Sequence, residues 1–589
     1  MESSGKKKPL NQSIKTSRSH QSGELRESEA RAYLNGGDIA LLSKQNNNCS
    51  TGFERRLVKT VVNISTSSIR SRTGSMSLDH DATPENELKL MRDSINAKQR
   101  IASRRNSYIQ REMKSDITDY SDLSDEICYG GTWIQQLVRE FKNCLHSLNT
   151  QATDVQLEHW ACIIYESMSL PSRSFHSVRH VFDISINAKP IQKLAAFFHD
   201  IIYYTIDGGL SPAQNKMIGD LICEEGDNVS IVTGDIDTNT KMVMEIFGFQ
   251  PGSKLDPFRG LNEFLSAVLA VRYYEEVMAP EHLAVIAACI EATIPFRKVV
   301  DGKTPMDLLF ERLSNVNQDY DLEMDEDDIV HAVQLAADLG NRDLGNFATD
   351  DRSAFLSNTW NLLPESNISL RNTTVFRISD FVDALKKMTG FFSNLNADDL
   401  YSCFRDPEQA HWKAAKTAIA RKNIEIAKHY MQMKCLSIAV VTAIAELTGG
   451  DAPVALLLGD LPDGGQVSHG IEDLIHAEEP EQDLDIDHEV FDLLNDGRDQ
   501  TSNFDIKKSP LAAYIYSCIG KAESIKCLDH VEYPMTESSA KKLLRALPRK
   551  CVLTIVSACS EIAITRRDQM NKLILTTRKA AGEDEHEQK

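Results

Sequence analysis

The sequence predicts an all-α protein, and three observations lead to that fold class. Apolar residues recur at helical spacing through most of the chain after residue 130. Period-2 alternation, the pattern of half-buried strands, is almost absent. Helix signals also separate the apolar segments, with Ser211-Pro212 typical of a helix start and Gly449-Gly450 of a helix end. We therefore expect a helical body.

Residues 1–115 are predicted to be a disordered basic tail. They are rich in Ser, Asn, Lys and Arg and have few aromatic residues, so they cannot bury enough apolar surface to offset chain entropy. Within the tail, Arg104-Arg105-Asn106-Ser107 is typical of a basophilic kinase site, although such short matches are frequent by chance. Phosphate on Ser107 would reduce the positive charge of the tail.

Charge and cysteine content limit the class of partner and the compartment. The chain has a net charge of -21. The tail holds about 21 basic and 12 acidic residues, so the remainder is close to -30. An acidic body argues against nucleic acid as a partner. Twelve cysteines without a C-x-x-C pair fit reduced thiols, and no apolar run reaches membrane-spanning length. We predict a cytoplasmic protein with no membrane segment.

Helical segments follow one another after the tail. Trp133, Leu137 and Phe141 share one helix face, and Asp154 is the predicted N-cap of the next helix. A helix is expected from Ser211 to Cys223. Further helices are predicted around residues 241–247, 261–277 and 282–292, and another helix, which carries Asp338, follows an acidic turn at residues 319–328. Together these segments define a predicted domain at residues 130–415.

Three segments are predicted beyond that domain. Residues 416–460 are predicted to form a helical extension, because apolar residues recur there at helical spacing up to Gly449-Gly450. Residues 461–508 are acidic and punctuated by Gly and Pro, which indicates a linker. Residues 509–580 are predicted to form a C-terminal helical segment.

Two short motifs in the predicted domain carry chemistry. The segment FHSVRHV at residues 175–181 places His176 and His180 four residues apart, on one face of a helix. The segment LAAFFHD at residues 194–200 ends an apolar run with His199-Asp200. A His-Asp pair at the end of a buried helix needs polar partners, and a metal ion is one of them.

These motifs resemble the HD-domain superfamily of metal-dependent phosphohydrolases. The spacing of His176 and His180 is also similar to the first motif of the cyclic nucleotide phosphodiesterases. The segment LAADLGN at residues 335–341 resembles the motif that carries the last metal aspartate in that superfamily, here Asp338. The resemblance covers the middle of the chain and implies an all-α HD-domain bundle.

The resemblance implies a ligand set of His180, His199, Asp200 and Asp338. Two imidazoles and two carboxylates suit a divalent ion, and Mn²⁺, Fe²⁺, Zn²⁺ and Mg²⁺ all remain open on ligand type alone. By the same resemblance, His176 would lie outside the metal ligands and protonate the leaving oxygen. A lone histidine is more often a core or surface residue, so the match of four residues in family order carries this prediction.

The chain departs from the family at the position of the base. Tyr203 stands three residues after Asp200, where many family nucleotidases have a glutamate. Asp207 is the nearest acid and a candidate catalytic residue, with a turn role before Gly208-Gly209 as the alternative. The residues that build a second metal site in the phosphodiesterases are also missing, which argues against a binuclear centre.

Candidate substrate ligands follow from charge and position. Arginine binds phosphate through two parallel hydrogen bonds, which points to Arg179, Arg272 and Arg342. Glu291 and Thr293 interrupt an apolar helix, and family resemblance would place them in the pocket. The alternatives are surface charges for the arginines and a capped helix end before Pro295 for Glu291 and Thr293. Residues 261–266 and 358–365 resemble a branch of predicted HD phosphohydrolases, and packing is the role expected for them.

The resemblance therefore implies a metal-dependent hydrolase of a small phosphorylated substrate, a mono- or diester such as that of a nucleotide, that acts through metal-bound hydroxide. A cyclic-nucleotide-type phosphodiesterase is one alternative, favoured by His176. A non-catalytic regulatory protein that binds metal or ligand is another, and Tyr203 in place of an acid supports it.

Overall fold

The computed structural model describes residues 131–587 apart from 227, 372–375, 460–469, 478–479 and 481–482. The predicted tail of residues 1–115 and the kinase motif at Ser107 lie outside the described residues. The described chain is helical apart from its loops and one small sheet, which confirms the all-α class.

The first half of the described chain contains eleven helices and three short strands, counted over the described residues only. In order they are α1 Trp133–Ser147, α2 Asp154–Met168, α3 Val178–Ser185, α4 Pro190–Phe198, α5 Tyr204–Asp207, α6 Pro212–Ile218, β1 Ile222–Glu225, β2 Asn228–Ile231, α7 Thr238–Phe247, β3 Lys254–Leu255, α8 Leu261–Tyr274, α9 Pro280–Glu291, α10 Pro305–Asp319 and α11 Glu326–Asp343.

The remaining helices complete the described chain. They are α12 Arg352–Ser366, α13 Ile368–Arg371, α14 Ile378–Asn394, α15 Pro407–Thr448, α16 Val454–Leu458, α17 His488–Asn495, α18 Pro510–Leu528, α19 Glu537–Ala546, α20 Arg549–Ile562 and α21 Arg567–Glu587. Single-turn 3₁₀ helices connect several of them.

Side-chain caps begin many of these helices. Thr132 and Gln135 form a reciprocal capping box at α1, and Thr153 with Gln156 does the same at α2. Ser211 caps α6 as predicted, but that helix ends at Ile218 and not at Cys223. Residues after it turn back into an antiparallel sheet of order β1-β2-β3, in which β2 pairs with both neighbours.

One hydrophobic core runs through α1 to α11. Phe141, Trp160, Phe197, Phe198 and Tyr274 form its aromatic centre, with ring centroids about 5 to 6 Å apart, mostly edge to face. Helix α4 crosses this centre, and its residues from Leu194 to Phe198 are fully buried. The residue that follows, His199, is therefore delivered to the interior by a rigid element.

A second core begins at Phe347 and includes the helices after α11. It therefore begins inside the predicted domain of residues 130–415. The helix Pro407–Thr448 is its axis. By length and composition it could span a membrane, but 83% of its apolar window is buried within the protein, which is how the central helix of a globular core behaves.

Candidate metal centre

Four side chains from three parts of the chain converge on one point. His180 lies in α3, His199 caps the C-terminal end of α4, Asp200 follows it, and Asp343 is the last residue of α11. One ligand atom from each lies within 4.8 Å of all the others. His180 Nε2 is 3.0 Å from Asp343 Oδ1, and His199 Nε2 is 2.9 Å from Asp200 Oδ2. This grouping has the size of a coordination sphere.

The geometry of His199 fits a cation. Its Nδ1 lies 2.8 Å from the carbonyl oxygen of Ala196, the distance of an N–H donor to a carbonyl. That bond fixes the tautomer and leaves the Nε2 lone pair facing the carboxylates. His199 Nε2 is buried and has no well-aligned hydrogen bond, although Asp200 Oδ2 is only 2.9 Å away. A cation between these atoms would satisfy both.

The charges of the four groups are strongly coupled. Burial opposes charge on both imidazoles, but the nearby Asp200 and Asp343 outweigh it, so the pKa of His180 is raised to about 9 and that of His199 well above its ordinary value. Burial likewise opposes charge on the carboxylates. The imidazoles outweigh it, lowering the pKa of Asp343 to about 2 and that of Asp200 well below its usual range. A cation would replace the protons that otherwise bind this cluster.

His176 lies beside the cluster and is oriented by a buried carboxylate. Its ring centroid is 5.7 Å from that of His180, and its Nε2 lies 3.8 Å from Asp200 Oδ2. The opposite ring atom, Nδ1, is 2.7 Å from Glu365 Oε2. Glu365 also accepts hydrogen bonds from the backbone N–H groups of Phe175 and His176. The pair therefore directs Nε2 of His176 towards the cluster.

Burial disfavours the ionised form of Glu365, but His176 and the two backbone donors outweigh it and lower the pKa of this carboxyl. The glutamate is thus an anion that is 2% exposed. An anionic partner at Nδ1 fixes the orientation of the imidazole ring. His176 itself is 16% exposed, so a ligand at the cluster can reach it.

The fourth ligand was predicted as Asp338, but the cluster contains Asp343 in its place. Asp338 is 40% exposed and accepts hydrogen bonds from Arg342 and Gln192. Asp343 lies five residues after Asp338 in α11, so its side chain points more than a third of a turn away from that of Asp338. This difference in direction places Asp343 in the cluster. Asp343 continues the buried stripe of Ala336 and Gly340, a helical periodicity already present in the sequence.

Asp207 does not approach the cluster as a base. Both of its oxygens accept hydrogen bonds from Arg173, and Ser172 donates another. The side chain of Arg173 is fully buried and also donates to the carbonyl oxygen of Asp200. Asp207 therefore neutralises Arg173, which holds the backbone of the candidate ligand Asp200. These contacts give Asp207 a structural role in place of the predicted catalytic one.

The predicted arginine ligands are occupied or exposed. Arg179 is 73% exposed and lies 3.7 Å from Asp183. Arg272 bonds Asp220 and Asp237 at the far end of α8. Arg342 bonds Asp338 and the carbonyl oxygen of Ile186. The structure therefore brings none of these three arginines to the cluster with a free N–H group.

Glu291 and Thr293 serve the end of α9. The Glu291 carboxylate is 1% exposed and pairs with Arg297 and Arg312. Thr293 Oγ1 donates to the carbonyl oxygen of Ile290, the hydrogen bond of a helix terminus. The Thr293 contact is that of a helix end, which was the alternative for this residue, whereas Glu291 is held by ion pairs with two arginines.

Two residues at the site come from segments that were expected only to pack. Glu365 lies in residues 358–365 and Glu263 in residues 261–266. The sequence signal that could have identified them is an acid inside an apolar helical pattern. Glu263 precedes Phe264 and Leu265, and Glu365 follows Leu363 and Pro364. Such an acid needs a buried partner or a function.

Comparison of the chain with protein-family models, with curated proteins and with solved structures found no match in any of the three.

Proposed function

We propose that this chain is a metal-dependent phosphoric ester hydrolase of the HD type. The observation that carries the proposal is the convergence of His180, His199, Asp200 and Asp343, with His176 beside them. The donor types suit Mn²⁺, Fe²⁺, Zn²⁺ or Mg²⁺. A divalent ion held there would polarise a phosphoryl oxygen and an attacking water molecule.

The residues of the chain supply binding and proton transfer. His176 would donate its Nε2 proton to the leaving oxygen as the bond from phosphorus to that oxygen breaks. Glu365 keeps the ring oriented for this transfer through its 2.7 Å contact with Nδ1. The buried helices behind His199 exclude bulk water from one side of the site.

The surrounding charges favour a phosphate diester as substrate. The arginines that contact the backbone around the site are Arg173, Arg342 and Arg371, and each bonds carboxylates or carbonyl oxygens of the chain. A monoester dianion carries more negative charge than a singly charged diester, so it needs more cationic compensation. This observation, together with His176, favours hydrolysis of a cyclic-nucleotide-type diester as the second candidate function.

Metal analysis and an ester panel test the proposal. The purified full chain should bind a divalent metal and, with Mn²⁺, hydrolyse at least one member of a panel of phosphate mono- and diesters that includes cyclic nucleotides. Asp343→Ala should lose the metal because it removes a carboxylate from the cluster. Asp338→Ala is the matched control on the same helix and should keep it.

His176→Ala separates metal binding from proton transfer. We expect this variant to retain the metal and to lose turnover by roughly 10²- to 10⁴-fold, the usual contribution of a general acid. Equal metal content in Asp343→Ala and Asp338→Ala would contradict the ligand set. Metal binding without turnover of any ester would favour the non-catalytic alternative.

A further inference from the structure

Glu263 lies in the first turn of α8. The residues on either side of it anchor that turn to the segment just after Asp200. Asn262 Oδ1 accepts a hydrogen bond of 3.0 Å from the backbone N–H of Tyr204. Ser266 Oγ accepts one of 3.1 Å from the backbone N–H of Ile202. The position of Glu263 relative to Asp200 is therefore set by two interior hydrogen bonds.

The carboxylate of Glu263 has an oxygen without a partner. Its Oε2 is buried and makes no hydrogen bond. An unsatisfied buried acceptor costs free energy, so an acid at this position needs an explanation. Packing alone would be better served by an apolar residue.

The electrostatic neighbours of Glu263 are the cluster residues. Burial, and then the charges of Asp200 and Asp343, raise its pKa to about 8, while His199 acts in the opposite direction. Tyr203 lies in the same environment, since burial and then Asp200, Glu365 and Glu263 raise the pKa of its hydroxyl. The carboxyl group is thus within electrostatic reach of the cluster, and it is not one of the four residues whose ligand atoms could share one cation.

We propose that Glu263 is a catalytic residue that accepts the proton of the attacking water through Oε2. The inference rests on the proposed hydrolase function. As the water oxygen forms its bond to phosphorus, one water proton passes to Glu263, and the leaving oxygen takes a proton from His176. Both groups return to their starting states by exchange with solvent.

This assignment supplies the base that Tyr203 cannot provide. Tyr203 stands where related nucleotidases have a glutamate, and its raised pKa keeps the hydroxyl neutral. Asp207 is bonded to Arg173 and Ser172. Glu365 is bonded to His176 and two backbone N–H groups. Glu263 is the acid at the site with a buried oxygen left unbonded.

The test compares Glu263→Gln with Glu281→Gln in the full chain. Glu281 lies in the first turn of α9, so the same substitution there reproduces any loss of favourable charge at a helix N-terminus. Two quantities are measured for each protein: binding of Mn²⁺ alone, by metal analysis and electron paramagnetic resonance, and turnover of the best ester found for the wild type.

We expect Glu263→Gln to bind Mn²⁺ with wild-type stoichiometry and within a few-fold of wild-type affinity, and to lose turnover by roughly 10²- to 10⁴-fold. Glu281→Gln should match the wild type in both measurements. Loss of Mn²⁺ from Glu263→Gln would overturn the proposal by making Glu263 a ligand, and unchanged turnover would overturn it by removing the proton-transfer role.

These failures differ from failure of the proposed function. If the wild type binds no metal or hydrolyses no ester, the hydrolase proposal falls and the role of Glu263 falls with it. If the wild type is active and Glu263→Gln is equally active, only the role of Glu263 is lost.

Discussion

The buried arginine at position 173 shows how single residues support the site from behind. Its guanidinium bonds Asp207 and the carbonyl oxygens of Asp200 and Ile201, and it lies 5.4 Å from the ring centre of Tyr203. One cation thus orients the backbone of a candidate ligand and one wall of the site. Its charge is tolerated in the interior because Asp207 neutralises it.

Removal of Asp207 should therefore destabilise the protein. Asp207→Ala leaves the Arg173 charge buried without its carboxylate, and we expect the free energy of unfolding to fall by about 3 to 5 kcal/mol. Urea denaturation followed by far-ultraviolet circular dichroism measures this change.

Asp183→Ala is the matched control for that experiment, because Asp183 pairs with Arg179 on the surface. Exposed pairs of this kind contribute about 0 to 1 kcal/mol. Similar losses in the two variants would show that the buried pair with Arg173 has no special role.

At the level of elements, the site depends on the close approach of α9 and α11. A Cβ atom at Gly340 would lie 2.5 Å from the carbonyl oxygen of Ala292, which is closer than atoms can approach. Glycine is required here by proximity of backbone and not by its dihedral angles. Asp343 follows less than one turn later, so the position of this helix sets one side of the cluster.

Gly340→Ala should displace α11 and loosen the cluster. We expect a loss of about 1 to 3 kcal/mol in the free energy of unfolding from overpacking, and weaker Mn²⁺ binding by tenfold or more. Denaturation and Mn²⁺ titration measure these effects. Gly345→Ala is the control, because a Cβ there meets no atom within 4 Å, and it should change neither quantity. Equal Mn²⁺ affinity in both variants would contradict the argument.

Across the whole molecule, the site uses elements from both hydrophobic cores. The four cluster residues belong to helices or turns of the first core, whereas Glu365 lies in α12, whose Phe355, Trp360 and Leu363 are buried in the second. The orientation of His176 therefore requires that both cores be folded. This dependence gives the helices after α11 a role at the site in addition to their packing.

The second core also gives the protein a pH-dependent stability. His429 in α15 is 4% exposed, neither ring nitrogen has a hydrogen-bond partner, and its ring meets Tyr516 edge to face. Burial, and then the charge of Lys521, lower its pKa to about 4 against the opposing effect of Asp487 and Asp485. The unfolded chain binds a proton at this residue near pH 6.5, before the folded chain does.

His429 therefore makes its full contribution to the free energy of unfolding above about pH 6.5, and this contribution is lost as the pH falls towards 4. Between pH 7.5 and pH 5 the wild type should lose about 2 kcal/mol more than His429→Phe, which keeps an aromatic contact with Tyr516. Carboxylates titrate in both proteins and cancel in the difference. Urea denaturation at the two pH values measures it, and parallel losses would rule out a neutral buried His429.

Much of the molecule could be predicted from local patterns. Helical periodicity indicated the all-α class, and Ser211-Pro212 marked a real helix start. The resemblance of the motifs around His176, His180 and His199-Asp200 to the HD-domain superfamily indicated three of the four cluster residues. These features depend on neighbours within a few residues. The strands after α6 were missed because each is only four residues long. Ile222–Glu225 is mostly exposed, and the alternation of buried residues in Asn228–Ile231 covers only two apolar positions.

The sequence by itself determined most of the helices and some of their caps, because these follow from contacts local in the chain, although the N-cap of α2 is Thr153 and not the predicted Asp154. The resemblance of its short motifs indicated three of the cluster residues. Only the tertiary structure decided that Asp343 and not Asp338 completes the cluster, that Glu365 bonds His176 beside it, and that Glu263 is buried with an unbonded oxygen. The physical reason is that the rotation of a packed helix and the approach of residues more than sixty positions apart are set by how whole faces bury one another.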